Sequence, residues 1–260
     1  MNAARRHFGF TLIELLVVIS ILGLLAALAV PALKNLGKAN VQVSAARQLL
    51  DDLGHARQLA ISQHTTVYMV FVPGIWNLPA NQQTPALANL LDKQFTGYNF
   101  ISLRSVGDQP GQGTTRYLGE WKSLPDGAFI ATNKFFGTTY NLTDAAAGVT
   151  YQVNPFYSSA GFPFPAATNA TGVVSLPYVA FNYLGQLVLN DTTLWPNAYE
   201  YIPLAQGTVG YAADPSTKAL QFAAPDATEN PPGNSTNSMF DLIQIDRLTG
   251  RATQLQQKIQ

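Results

Sequence analysis

At 260 residues the chain has room for one generous domain or two small ones, and its 15 Lys and Arg balance its 15 Asp and Glu. That balance argues against a strong overall field for nucleic acid or an acidic partner, and the absence of cysteine excludes disulfides and Cys-ligated metals. Charged residues are only 12%, while 20 Gly and 16 Pro suit a β-rich, loop-rich body better than a helical one.

The N-terminus opens with Arg5 and Arg6, followed from Phe10 to Val30 by 21 residues in which Glu14 is the only charge. A helix of that length covers about 30 Å, enough to cross the hydrocarbon core of a bilayer. The flanking arginines keep the N-terminus cytoplasmic by the positive-inside rule and send everything after Pro31 across the membrane. A carboxylate at mid-bilayer costs on the order of 2.5–3.5 kcal/mol. Glu14 therefore either lies shallow enough to reach the headgroups or marks function. A cleavable secretory signal is the rival reading of the whole stretch, since "LLAALAVPA" ends in small residues.

Beyond Pro31 the helical pattern continues in amphipathic form. Leu36, Val43 and Leu50 recur every seven residues and Leu53, Ala56 and Ala60 extend the stripe. Proline removes one backbone hydrogen bond and kinks a helix, which a membrane helix tolerates. One long helix is expected from about Phe10 to Gln63, its second half packed on the body.

"TTVYMVFVP" (65–73) then turns β-branched and aromatic and reads as the first strand. Residues 79–97 read as a loop with room for a short helix, Thr84 as its cap and Pro85 in its first turn. "YNFISLR", "RYLGEW" and "GAFIATN" are expected strands, and "SLPDG" (123–127) is a turn in which proline presets φ and glycine accepts positive φ. From Asn133 to Thr171 no helical period appears, and long loops or an inserted excursion with irregular strands are expected. Two hairpins close the body, Tyr178–Asn190 around Leu184-Gly185 and Asp241–Gln256 around Thr249-Gly250. Between them "AAPDATENPPGNSTNS" reads as a polar loop.

The block "GFTLIELLVVISILGLLAALAVP" resembles the type IV prepilin signature: a short basic leader ending in Gly, then Phe-Thr-Leu-Ile-Glu and an apolar helix. The resemblance implies cleavage between Gly9 and Phe10 by a membrane prepilin peptidase, with methylation of the new Phe10 amine. It makes Glu14 the fifth mature residue and Pro31 the twenty-second, where the family also often has a proline. Glu14 is then expected to meet the Phe10 amine of a neighbouring subunit in a filament. "ARQLLDDLGHARQLAISQHTTVYMVF", "SLPDGAFI", "FNYLGQL" and "IDRLTGRAT" resemble, in order, signposts of the GspH/FimT group of minor pilins and pseudopilins. The strong likeness covers about residues 5–73, and the length of 74–240 departs from the group. The implied fold is α+β and pilin-like. Residues 1–9 form the leader, 10–30 a transmembrane helix, 31–64 its amphipathic continuation and 65–260 a β-rich globular domain on an antiparallel sheet. The implied role is a minor pilin or pseudopilin of a type IV pilus or a type II secretion system. Its partners would be the peptidase, other pilin subunits and the inner membrane, with the body in the periplasm.

No enzyme constellation stands out, and no cofactor or metal site is expected. His55 and His64 lie nine apart on the expected helix, half a turn off a shared face, and Asp51 and Asp52 point in different directions. "GDQPGQGTTR" (107–116) lacks the Gly-Lys-Ser/Thr of a phosphate loop. An alternative reading is a DNA- or ligand-binding tip pilin acting in uptake or adhesion, because some members of the group bind DNA through basic residues near the C-terminus. Here those are Arg247, Arg251 and Lys258. Loss of Arg5 and Arg6 with the leader leaves 13 basic against 15 acidic residues, a formal charge of −2, and few contacts for phosphate. DNA binding therefore ranks second.

Overall fold

The computed structural model describes residues 12–79, 83, 85–105, 107–109, 113–167, 173–236 and 240–256, with side chains of 26–40, 77 and 86 left out. The chain divides into two compact units, 1–40 and 41–260. Helix α1 runs from Leu12 to Gln63, so its first part belongs to one unit and its second to the other. The chain is α+β, with a helix at the N-terminal end and antiparallel sheets in the body.

In the larger unit α1 supplies Ala45, Ala46, Leu49, Leu53, Ala56 and Ala60 to the main core. The steps from Ala46 onward alternate three and four, the signature of a helix with one buried face. The expected seven-residue stripe is thus shifted: Leu53, Ala56 and Ala60 are buried as anticipated. Val43 and Leu50 flank the core half-buried, and the side chain of Leu36 lies outside those described. Small alanines let the helix approach closely, so packing rather than side-chain bulk selects the face.

The helix hands over to β1 (Val67–Phe71), buried throughout. A short α2 (Pro85–Ala88) follows, where the expected cap Thr84 lies outside the described residues, and then β2 (Gly97–Ser102), β3 (Arg116–Tyr117), β4 (Lys122–Ser123) and β5 (Ala128–Ile130). The Pro-Asp-Gly turn forms as expected, with Gly127 at φ +97° and Ala128 N–H donating to the Pro125 carbonyl. Residues 133–167 hold more regular structure than their composition suggests. They contain α3 (Asn133–Phe136), the hairpin of β6 (Tyr140–Asp144) and β7 (Val149–Val153), and β8 (Gly161–Pro163), which pairs with β9 (Val173–Ser175). Alternating Tyr140, Leu142, Tyr151 and Val153 around the Asp144–Gly148 turn was the readable signal for β6–β7.

The expected hairpins are β10 (Tyr178–Phe181) with β11 (Leu187–Val188), and β14 (Asp241–Asp246) with β15 (Ala252–Gln256). Between them lies the 12-residue β12 (Tyr199–Gly210), which the sequence reading did not mark. The polar loop after it is corrected too: it holds β13 (Asp226–Glu229) on the edge of β12. Its Asn234 is buried, its amide bonded both ways to the Gln206 backbone.

One sheet has the order β11-β10-β1-β2-β3 with β4 also on β2, and another β13-β12-β14-β15 with β5 also on β12. Both turn apolar residues to α1: Met69, Phe71, Phe100 and Phe181 from the first, Ile130, Ile202, Ile243 and Ile245 from the second. The opposite face of the first sheet carries Tyr68, Val70 and Tyr178 into a second core with Phe162 and Phe164.

The two resemblance stretches "FNYLGQL" and "IDRLTGRAT" meet in space. Gly185 (φ +77°) and Gly250 (φ +59°) form touching turns, and Arg57 Nε of α1 donates to the carbonyls of Gly185 at 3.2 Å and Thr249 at 2.7 Å. Asp246 closes the second turn, accepting from the Thr249 N–H at 2.7 Å and hydroxyl at 2.8 Å, and these bonds hold its carboxyl below the usual range. A Cβ on Gly250 would stand 2.0 Å from the Gly185 carbonyl oxygen. Gly250→Ala is therefore expected to cost about 2 kcal/mol or more, combining left-handed strain with that clash. A urea midpoint that falls at constant m would show it, whereas an unchanged midpoint would mean the turns can separate freely.

Candidate functional site

The smaller unit presents a helical surface of unusual composition. All fourteen residues from Leu12 to Leu25 are exposed, with Leu12 at 82% and Leu25 still at 57%. Soluble surfaces rarely leave an apolar patch of this extent uncovered, which marks the segment as an interaction surface. Ser20 satisfies its hydroxyl within the helix by donating to the Leu16 carbonyl at 2.8 Å. Glu14 lies in the first helical turn, where an acidic side chain complements the helix dipole. The backbone helix passes through Pro31 without a break. Gly9 and Phe10 lie outside the described residues. Among the described residues no helix is long and apolar enough to cross a membrane.

In the body, the structure brings few reactive groups together. His55 rests its ring edge on Phe100 at 5.5 Å, while His64 stops α1 at φ +49°. Among the described residues no cluster of three or more His, Asp or Glu could hold a metal ion. Asp51 is exposed, whereas Asp52 is buried and accepts hydrogen bonds from the Tyr98 hydroxyl and Lys122 Nζ, both at 2.6 Å. Asp52 thus ties the helix to β2 and β4 rather than pairing with its neighbour. In the glycine-rich stretch, the described residues Asp108 and Thr114 bond to each other. Asp108 accepts from the N–H groups of Thr114 and Ser105, each at 2.7 Å, and these depress its carboxyl.

The basic residues near the C-terminus separate in their surroundings. Arg247 turns its guanidinium to the Trp195 and Pro196 carbonyls at 3.4 and 3.5 Å. Arg251 is exposed, and Lys258 lies outside the described residues.

Two features escaped sequence reasoning. One is a fully buried ion pair between Lys134 of α3 and Glu200 of β12. The other is a row of tyrosines on the outward side of β12, whose only sequence trace is the alternation of Tyr199 and Tyr201.

Comparison with known families gives one match, the prokaryotic N-terminal methylation motif, over residues 4–30. No curated protein and no solved structure matches the chain. The match falls on the basic leader and the apolar run, including Gly9, Phe10 and Glu14. The chain therefore carries a type IV prepilin-like leader motif ahead of a β-rich body.

Proposed function

We propose that the chain is a minor pilin or minor pseudopilin of the GspH/FimT type, a structural subunit and not an enzyme. The prepilin peptidase cuts between Gly9 and Phe10 and methylates the Phe10 amine. The mature helix anchors the chain in the inner membrane with the body in the periplasm. It then packs among other pilin subunits of a type IV pilus or type II secretion pseudopilus.

The observation that carries this reading is the coincidence of the methylation motif with a helix that is exposed from Leu12 to Leu25 and apolar there except for Glu14 and Ser20. Such a surface is stable in lipid and equally stable against like helices, so a subunit can pass from one to the other at small cost in apolar burial. The body supports a minor rather than a repeating role. Its β6–β7 and β8–β9 hairpins are additions to the two main sheets, and such additions are most easily accommodated where neighbours do not crowd them.

Intact mass and the N-terminal peptide of the membrane-extracted protein test the reading. The expected chain begins at Phe10 and carries one methyl group on its amine. A chain beginning near Pro31, or one retaining its leader, would overturn it.

A further inference from the structure

On β12, Glu200, Ile202 and Leu204 are buried, with Ile202 and Leu204 in the α1 core, so alternation turns Tyr199 and Tyr201 to the opposite side. There the Tyr199 and Tyr201 rings lie 6.2 Å apart, and Tyr151 of β7 continues the row at 5.6 Å from Tyr201. In register beside Tyr201 stands Gln244 of β14, and beside Gln244 stands Thr253 of β15. Tyr199 is 39% exposed, Thr253 is exposed, and Tyr201, Tyr151 and Gln244 are half-buried.

The polar atoms of this platform are unspent. Among the described residues, none of the three tyrosine hydroxyls, nor the Gln244 amide, nor the Thr253 hydroxyl, has a hydrogen-bond partner. By contrast, the buried amides of Gln94, Asn99, Asn182 and Asn234 are all engaged internally. Flat aromatic faces flanked by idle donors and acceptors form a surface for a ligand that is apolar on one side and rich in hydroxyls along its edge. Charge narrows the class. Next to the platform, Arg251 lies across from Asp246, one cation against one anion, so no net field favours a phosphate backbone.

We propose that the exposed end of this face, at Tyr199, Tyr201, Gln244 and Thr253, where it emerges from the cluster that buries Leu242 and Phe240 under β6–β7, binds a neutral saccharide. Pyranose rings stack on Tyr199 and Tyr201, and Gln244 and Thr253 take the ring hydroxyls. The inference goes beyond the filament role and does not depend on it: saccharide binding and N-terminal processing are read separately.

The test is binding of the full-length, detergent-solubilised protein to a printed array of neutral oligosaccharides built from glucose, galactose, mannose and N-acetylhexosamines. A single-stranded oligonucleotide runs in parallel. Binding to at least one neutral saccharide is expected, weakened about tenfold by Tyr199→Ala or Gln244→Ala and retained by Tyr199→Phe, which keeps the ring. Because Tyr199 is at the surface, its substitution leaves the urea midpoint in place and the loss reads as recognition. No binding across the array, binding indifferent to Tyr199→Ala and Gln244→Ala, or binding to the oligonucleotide alone would each overturn the proposal.

Discussion

Lys134→Met is expected to destabilise the body by about 3–5 kcal/mol, the cost of leaving one member of a buried ion pair alone. Both partners are removed from water, with Lys134 at 0% and Glu200 at 1% exposure. Burial pushes the lysine down and the glutamate up from their ordinary ranges, and their mutual attraction works against both shifts. The arrangement is tolerable because Lys134 is fully occupied. Its Nζ donates to Glu200 Oε1 and, at 2.6 Å, to the Asn154 carbonyl, and it lies 4.7 Å from the centre of the Phe156 ring. The Lys134 carbonyl also accepts the Phe156 N–H at 2.8 Å. One side chain thus binds α3, the segment that follows β7, and β12 into one block. Substituting both partners, Lys134→Met with Glu200→Gln, removes the charges together and should cost clearly less than the two single changes summed. A double-mutant cycle on urea midpoints measures that coupling, expected within about 1–3 kcal/mol. Strict additivity would mean that the two groups are held independently.

The same pair explains why part of the fold was hidden. Lys134 and Glu200 are separated by 66 positions, and no local pattern announces that they meet. The hairpins were readable because their turns are local chemistry: Leu184-Gly185 and Thr249-Gly250 need positive φ and have glycine there. The end of α1 and the onset of β1 were readable for a similar reason, a change of period and a shift to β-branched residues. Strand β12 was not, since Pro203 stands inside it and proline cannot donate to a ladder. It is accommodated where the pairing of β5 begins, at Leu204 opposite Ile130, while the Pro203 carbonyl accepts from Ala131. The leader motif was legible because peptidase recognition is written in consecutive residues. The tyrosine platform was not, because Tyr151 reaches Tyr201 only once β6–β7 has folded against β12.

Under the pilin reading, Glu14→Leu should separate two properties that the native helix combines. Removing the charge makes the helix easier to place in lipid, by at most about 2.5–3.5 kcal/mol and less near the start of the span. Membrane residence and cleavage at Gly9 should therefore persist. Filament entry should fail. Opposite charges about 4 Å apart at an effective dielectric of about 20 attract by ~4 kcal/mol, on the order of a thousandfold in occupancy. That attraction exists only where Glu14 of an incoming helix faces the Phe10 amine of its neighbour, so it fixes axial register as well as affinity. Apolar contacts along 12–25 cannot replace it, because one leucine-rich register is nearly as good as the next. The measurement is the share of processed protein in sheared filaments against the membrane fraction, for native protein, Glu14→Leu and Glu14→Asp. Loss with Leu and partial retention with Asp is the expected pattern. Equal incorporation of all three would show that the helix assembles on apolar packing alone and would leave the carboxylate without the role assigned to it.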